Sequence, residues 1–213
     1  LWLRGLSTRD LAATAEELAG RAYSHTTIST WLKDVTDDVL RWLNRPIRSD
    51  IRYLVLDGIY VPVVRENSKR EPILVALGIT HDGHKEILDV LHAPSESTDA
   101  WGTVLSRLKL RGLDTSQLQL VITDGDEGMI GAVRQHLGSV RRQRCTVHKV
   151  RNVVGRTPRD LKRTIPGEAA AIYKAPSRAE AERRAAEFIA KYEVSHPKIA
   201  AVVADDLDAC LAF

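Results

Sequence analysis

The chain has 213 residues, 44% hydrophobic and 28% charged, with a formal net charge of +3. That is an ordinary soluble composition, with room for one large domain or a small one beside a larger one, and its net charge is too small to imply a polyanion partner by itself. No apolar run approaches the ~20 residues a membrane-spanning helix needs, and no signal peptide is visible. Cys145 and Cys210 are the only cysteines, so no disulfide framework is implied and a reducing, cytoplasmic setting fits. The chain starts at Leu1 without methionine and stops at Phe213 inside an apolar pattern, and so reads as a fragment.

Residues 1–48 read as helical. Ser7-Thr8-Arg9-Asp10 resembles a capping box ahead of Leu11, Ala15 and Leu18, with Gly20 as the stop. A second helix starts at Ser24 and carries Ile28, Trp31, Leu32, Val35, Val39, Trp42 and Leu43 on one face until Pro46 ends it. Such a pair fits a DNA-binding helix-turn-helix, with His25, Thr26, Thr27, Ser29 and Thr30 near the start of its second helix. It fits a helical hairpin used for packing or dimerisation equally well.

From Ile51 the period changes. Strands over Arg52–Val64, Ile73–Thr80 and Glu86–His92, joined by turns at Arg65–Pro72 and His81–His84, predict an antiparallel meander. A helix over Thr98–Arg111 follows, with Trp101, Val104, Leu105 and Leu108 on one face. Next come a strand over Leu118–Thr123, a helix over Glu127–Leu137 and a short strand near Val140–Val147. After His148 the pattern is helical. Ser177-Arg178-Ala179-Glu180 caps a helix through Tyr192 whose exposed face pairs Glu180/Arg184, Arg183/Glu187 and Glu187/Lys191, and Pro197 opens a last helix running through Asp205–Leu211. The division expected is a helical segment over 1–48, an α/β core over 49–155 and a helical part over 156–213.

Asp57 and Asp124 each sit at an apolar strand and each precede a glycine. Apolar runs of this kind are buried on both faces, where a carboxylate is costly unless paired, hydrogen-bonded or holding a metal. A strand-end Asp commonly caps the next turn, but Asp57 lies within its run, where capping does not explain it. If the two strands are neighbours, both carboxylates enter one crevice, and a hard divalent cation such as Mg²⁺ removes their repulsion and stands ready for phosphoryl chemistry.

Between Arg134 and Arg163 the basic residues Arg134, Arg141, Arg142, Arg144, Lys149, Arg151, Arg156, Arg159, Lys162 and Arg163 are opposed only by Asp160. Clustering of this kind is the footprint of phosphate-backbone contact, or else a solvated basic helix face.

These pieces resemble the Mutator-type transposases of bacterial insertion sequences, a branch of the ribonuclease H-like recombinases. The resemblance is carried by Gly5-Leu6-Ser7-Thr8-Arg9-Asp10, by Leu56-Asp57-Gly58-Ile59-Tyr60-Val61-Pro62-Val63, and by Leu74-Val75-Ala76-Leu77-Gly78-Ile79-Thr80-His81-Asp82-Gly83. Ile122-Thr123-Asp124-Gly125-Asp126-Glu127-Gly128 and Gln143-Arg144-Cys145-Thr146-Val147-His148-Lys149-Val150-Arg151-Asn152 complete it, the last being the most specific. It implies a ribonuclease H-like mixed sheet flanked by helices, with the fourth strand beside the first, and a helical insertion after the fifth. It further implies an Asp-Asp-Glu centre in which Asp57 and Asp124 bind Mg²⁺ or Mn²⁺, with the Glu expected downstream of Leu211-Ala212-Phe213 and hence outside this chain. Two-metal strand cleavage and transfer on double-stranded DNA is the implied activity, in a homo-oligomer, with Arg141, Arg142, Arg144, Lys149 and Arg151 on the DNA backbone. This piece alone is then expected to bind metal weakly and cut little or not at all. Asp126 departs from the family, which has an uncharged residue or His there.

Cys145 and His148 offer half of a zinc site, yet His81, His84, His92, His136 and Cys210 are scattered, so a structural role is expected instead: packing the fifth strand against the insertion and orienting the arginines. A haloacid dehalogenase-like phosphohydrolase needs a second Asp two positions after the nucleophile, where Ile59 stands after Asp57; Asp124-Gly125-Asp126 has that spacing but comes late. A calcium loop starting at Asp124 fails because Gln135 occupies the place of its bidentate Glu. A DNA-binding or dimerisation fragment without chemistry is the remaining alternative.

Overall fold

The computed structural model describes residues 7–62 and 70–212. Helices α1 (Thr8–Ala19) and α2 (His25–Asn44) form the N-terminal hairpin. The Ser7 hydroxyl accepts the Asp10 amide while the Asp10 carboxylate accepts the Ser7 amide at 3.0 Å, so the expected capping box closes at both ends. Ser24 caps α2 in the same way through the Thr27 amide. Only Ala12 and Ile28 of the hairpin are buried, and Trp31, Val35, Val39 and Leu40 of α2 remain exposed.

The chain then runs through β1 (Ile51–Pro62), β2 (Arg70–Thr80), β3 (Lys85–His92), α3 (Thr98–Leu110), β4 (Leu120–Thr123), α4 (Glu127–Leu137) and β5 (Arg141–Arg144). The five strands form one mixed sheet in the order β3-β2-β1-β4-β5. The first three are an antiparallel meander, whereas β4 pairs parallel to β1 and β5 parallel to β4. The fourth strand therefore lies beside the first, as expected. Leu54, Leu56, Leu74, Leu88 and Val121 of the sheet pack with Trp101, Val104, Leu105 and Leu108 of α3 and with Met129, Ala132 and Val133 of α4. Burying a side chain of this size contributes roughly 1.5–3 kcal/mol, so this layer holds the sheet in place. Arg111 donates to the carbonyls of Leu43 and Leu88, tying the end of α2 to β3.

Helices α5 (Thr146–Arg156), α6 (Ile165–Tyr173), α7 (Arg178–Tyr192), α8 (Pro197–Ala204) and α9 (Leu207–Cys210) follow. Val153 of α5 packs with Ile165, Ile172, Phe188, Ile199 and Val203 in a second core, so the helical layer begins in α5, ahead of residue 156.

Several elements differ from the sequence expectations. Of the expected turn Arg65–Pro72, Arg70–Pro72 belong to β2, and residues 65–69 lie outside the described residues, as do Val63 and Val64 of the expected first strand. The fifth strand ends at Arg144, because α5 starts at Thr146. The last helix is broken at Asp205-Asp206, where Asp206 takes φ 56° and separates α8 from α9. Lys191 pairs with Glu168 of α6 at 2.9 Å in place of Glu187, because α6 packs alongside. Among the described residues no helix is long and apolar enough to cross a membrane.

Candidate metal and DNA site

Val55 of β1 and Ile122 of β4 are register partners in the parallel pair, and two residues further along each chain stand Asp57 and Asp124. Asp57 lies within β1, which runs on to Pro62, and Asp124 is the first residue past the carboxyl end of β4, the end at which open α/β sheets place their ligand crevices. Strand alternation sends Leu54 and Leu56 toward α3 and α4, and Asp57 to the opposite face. There His148 of α5 brings Nε2 to 3.9 Å from Asp57 Oδ1. The Asp57 side chain is 48% exposed, so its charge is far less desolvated than an apolar strand suggests.

Asp124 does two things. Its Oδ1 accepts the Asp126 amide at 2.8 Å, so the capping role open to a strand-end Asp is real. Gly125 takes φ 96°, a turn that favours glycine, and a Cβ there would meet the Arg144 guanidinium at 2.4 Å. Asp126 is occupied as the N-cap of α4, accepting the Met129 amide at 3.1 Å.

Glu96 was not singled out by sequence. It sits in the loop before Ser97, the N-cap of α3, and its carboxylate lies directly over Gly58: a Cβ at Gly58 would be 2.3 Å from Glu96 Oε1. Its Oε2 is buried with no hydrogen-bond partner. Burial pushes the Glu96 carboxyl up, the Tyr60 hydroxyl pulls it back, and the charges of Asp124, Asp126 and Asp57 push it up further. In return Glu96 raises the Tyr60 phenol. An acid alone in a loop carries no periodic signal. Its sequence clue was its place just ahead of a helix cap, too weak to act on.

Gly58 shares the face of Leu54 and Leu56, so Glu96 sits on the α3 and α4 side of β1 and the Asp57 side chain on the other, and among the described residues no three His, Cys, Asp or Glu side chains converge closely enough to enclose an ion. Among the described residues Cys145 and His148 join no group of three possible metal ligands. The Cys145 amide donates to the Thr123 carbonyl at 2.7 Å and starts α5, and His148 is turned toward Asp57, with its Nδ1 buried and without a partner.

The basic segment divides in two. Lys149 is 1% exposed, and its ammonium donates to the Asp205 carbonyl. Burial, and next the nearby Arg144, lower its affinity for a proton. This corrects its expected place on the DNA backbone, because α5 turns it into the second core. Arg144 pairs with Asp206, Arg141 donates to the Ala212 carbonyl at 3.2 Å, and Gln143 donates to the Cys210 carbonyl and accepts the Ala212 amide. The inner half of the segment is therefore a clamp on residues 205–212. Arg142 is half-buried beside Thr123 Oγ1, whereas Arg151, Arg156, Arg159, Lys162 and Arg163 are exposed.

The sequence profile of the family described as "Transposase, Mutator family" matches residues 1–213. The chain belongs to the Mutator family of transposases. It is 32% identical over 199 residues to the transposase for insertion sequence element IS905 of Lactococcus lactis, covering 93% of this chain and 50% of that protein. It is 32% identical over 196 residues to the transposase for insertion sequence element IS1201 of Lactobacillus helveticus, covering 92% and 53%. With the transposase for insertion sequence element ISRM5 of Rhizobium meliloti it shares 32% over 215 residues, covering 100% and 53%. This Mutator-family chain spans about half the length of those relatives.

Proposed function

We propose that this chain supplies the first two acids of a transposase centre, Asp57 and Asp124, on a ribonuclease H-like sheet, and that these acids hold Mg²⁺ or Mn²⁺ for strand cleavage and transfer at the ends of an insertion sequence. The observation that supports the reading is the parallel register of Val55 with Ile122, since Asp57 and Asp124 each follow two residues further along these neighbouring strands. The donor set fits such an ion. Asp57 is half-exposed, Asp124 keeps Oδ2 free of the turn that occupies its Oδ1, and Mg²⁺ tolerates one or two carboxylates with the remaining positions filled by water. When bound, the ion supplies Lewis acidity to activate water or a DNA 3′-hydroxyl and to steady the leaving oxygen.

The protein's own groups do the rest. Asp57 and Asp124 bind and place the cation, with His148 held beside Asp57. Arg151, Arg156, Arg159, Lys162 and Arg163 neutralise duplex phosphates without reading bases, with Arg142 at their inner edge. The partner on this reading is double-stranded DNA, and the assembly is a homo-oligomer. The family's Asp-Asp-Glu pattern calls for a third acid, and among the described residues no glutamate of α6 or α7 joins Asp57 and Asp124 in a group of three ligands, so on this reading these 213 residues are weak in metal binding and in cleavage by themselves.

The test is strand cleavage of a terminal-repeat duplex in Mg²⁺ or Mn²⁺ by a longer protein that includes these residues. Cleavage lost in Asp57→Ala and in Asp124→Ala, with DNA binding kept, supports the reading. Cleavage retained in either variant rejects it, and a protein that binds DNA but cuts at no length is the non-catalytic alternative.

A further inference from the structure

We propose that Arg144 is a positioning residue for Asp124: its guanidinium, held in place by Asp206, braces the turn that carries the second acid. The inference rests on the reading of Asp124 as part of the metal centre.

The turn is fixed on both sides of Asp124 from the junction of β5 and α5. Ahead of it, the Thr123 carbonyl accepts the Cys145 amide at 2.7 Å. Behind it stands Gly125 at φ 96°, and the Arg144 guanidinium lies against that glycine. A Cβ there would be 2.5 Å from Cζ and 2.8 Å from Nη2, closer than any side chain tolerates. This contact falls on the main chain between Asp124 and Asp126, the stretch across which Asp124 Oδ1 accepts the Asp126 amide at 2.8 Å. Arg144 thus bears on the backbone of the turn, and the backbone aims the carboxylate.

Arg144 is itself held. Its side chain is 13% exposed and pairs with Asp206. Asp206, at φ 56°, is the one residue other than glycine with a positive φ among the described residues. Aspartate enters the left-handed region more readily than most residues, yet such a conformation persists only where its surroundings over-determine it, and outliers of this kind gather at functional places. The surroundings here are Lys149, which donates to the Asp205 carbonyl, and Gln143, which donates to the Cys210 carbonyl. Together they set the Asp206 carboxylate facing Arg144.

A plain tie between β5 and residues 205–212 does not account for the arrangement. Gln143 and Arg141 already make that tie, and neither needs a left-handed glycine at its far end. Contact with DNA does not account for it either, since a guanidinium this enclosed and already paired is not offered to a phosphate as the exposed Arg151 is. A cation next to a cation site also repels the metal, and the Asp206 carboxylate offsets that charge.

The experiment follows the Asp126 amide, whose proton the Asp124 carboxylate accepts, by hydrogen exchange in the 213-residue chain and in Arg144→Gln and Asp206→Gly. Asp206→Gly keeps a left-handed break and removes only the carboxylate. In Arg144→Gln the Asp126 amide should exchange about tenfold faster, the loss expected for one hydrogen bond to a charged group, and Asp206→Gly should change it in the same direction. The amides of Val133 and Leu137, further along α4, should not change. Because the two residues act as one device, the double variant should exchange no faster than Arg144→Gln. Mn²⁺ binding, read by the electron paramagnetic resonance signal of the free ion, supplies the second arm. Arg144→Gln should weaken it about tenfold, although removing a positive charge would by itself tighten it, so weaker binding reports placement.

Unchanged exchange at Asp126, equal acceleration at Val133 and Leu137, or wild-type Mn²⁺ affinity in Arg144→Gln overturns the inference. The metal reading then still stands if Asp124→Asn loses Mn²⁺. No Mn²⁺ binding by the wild type, or none lost in Asp124→Asn, overturns the metal reading and the inference with it. If Arg144→Gln does not fold, the Asp126 exchange in Asp206→Gly decides.

Discussion

His148 Nε2 lies 3.9 Å from Asp57 Oδ1, reaching from the first turn of α5 to the strand that carries the acid. The Cys145-x2-His148 spacing starts a helix from the end of β5 and turns its imidazole toward Asp57. Zinc in a structural site takes four ligands, and among the described residues no such group exists around Cys145. The expected outcome is that purified protein carries far less than one zinc per chain and that Cys145→Ser unfolds in urea within about 0.5 kcal/mol of the wild type. Stoichiometric zinc by elemental analysis, lost in Cys145→Ser, would reject this account of the motif.

The split of the basic segment makes a second prediction, read from the salt dependence of duplex binding. Each phosphate contact removed lowers the slope of log affinity against log salt by about 0.9. Arg151→Gln with Arg159→Gln should flatten the slope by roughly two contacts' worth and weaken all sequences alike. Lys149→Met should leave the slope unchanged, because its ammonium is spent on Asp205 inside the protein. Its effect should appear instead as faster hydrogen exchange at residues 205–212. A flattened slope in Lys149→Met would mean that α5 turns outward on DNA.

A third prediction concerns pH. Hydrogen bonds from Arg183, then from Arg184, hold the Glu180 carboxyl at about 2, well below its usual value of 4.5. A lowered acid stabilises the folded state fully above its unfolded value and loses that contribution as pH falls toward its folded value. The stability lost in Glu180→Gln should thus be constant above about pH 4.5, shrink between pH 4.5 and 2, and vanish near pH 2, by urea unfolding at low ionic strength. A difference that persists unchanged at pH 2 would assign the effect to helix propensity at α7 and not to the ion pairs.

Much of the fold was legible because its signals are local. Ser7 and Asp10, or Ser24 and Thr27, announce a helix start within four residues, and Trp101, Val104, Leu105 and Leu108 mark one buried helix face. Asp57 and Asp124 stand out in the sequence as well, since a carboxylate within or just after an apolar strand is an anomaly that sequence displays. Glu96 does not, because its place over Gly58 is set by how the loop before α3 folds back on β1, a tertiary fact with no period. Lys149 was misread for a related reason. A run of positive charge does not say which side of a helix faces the core, and on α5 Lys149 and Val153, four residues apart, share the buried side. The break at Asp206 was equally hidden, since the residue at φ 56° is an aspartate, paired with Arg144, and not a glycine.

The central claim is that Asp57 and Asp124 jointly hold a divalent ion, and anomalous diffraction from crystals of this chain soaked in Mn²⁺ tests it most directly. The account predicts a manganese peak bridging the two carboxylates at about 2.0–2.3 Å from an oxygen of each, absent in Asp57→Asn crystals treated alike. A peak elsewhere with none between these carboxylates, or the same peak undiminished in Asp57→Asn, would contradict it.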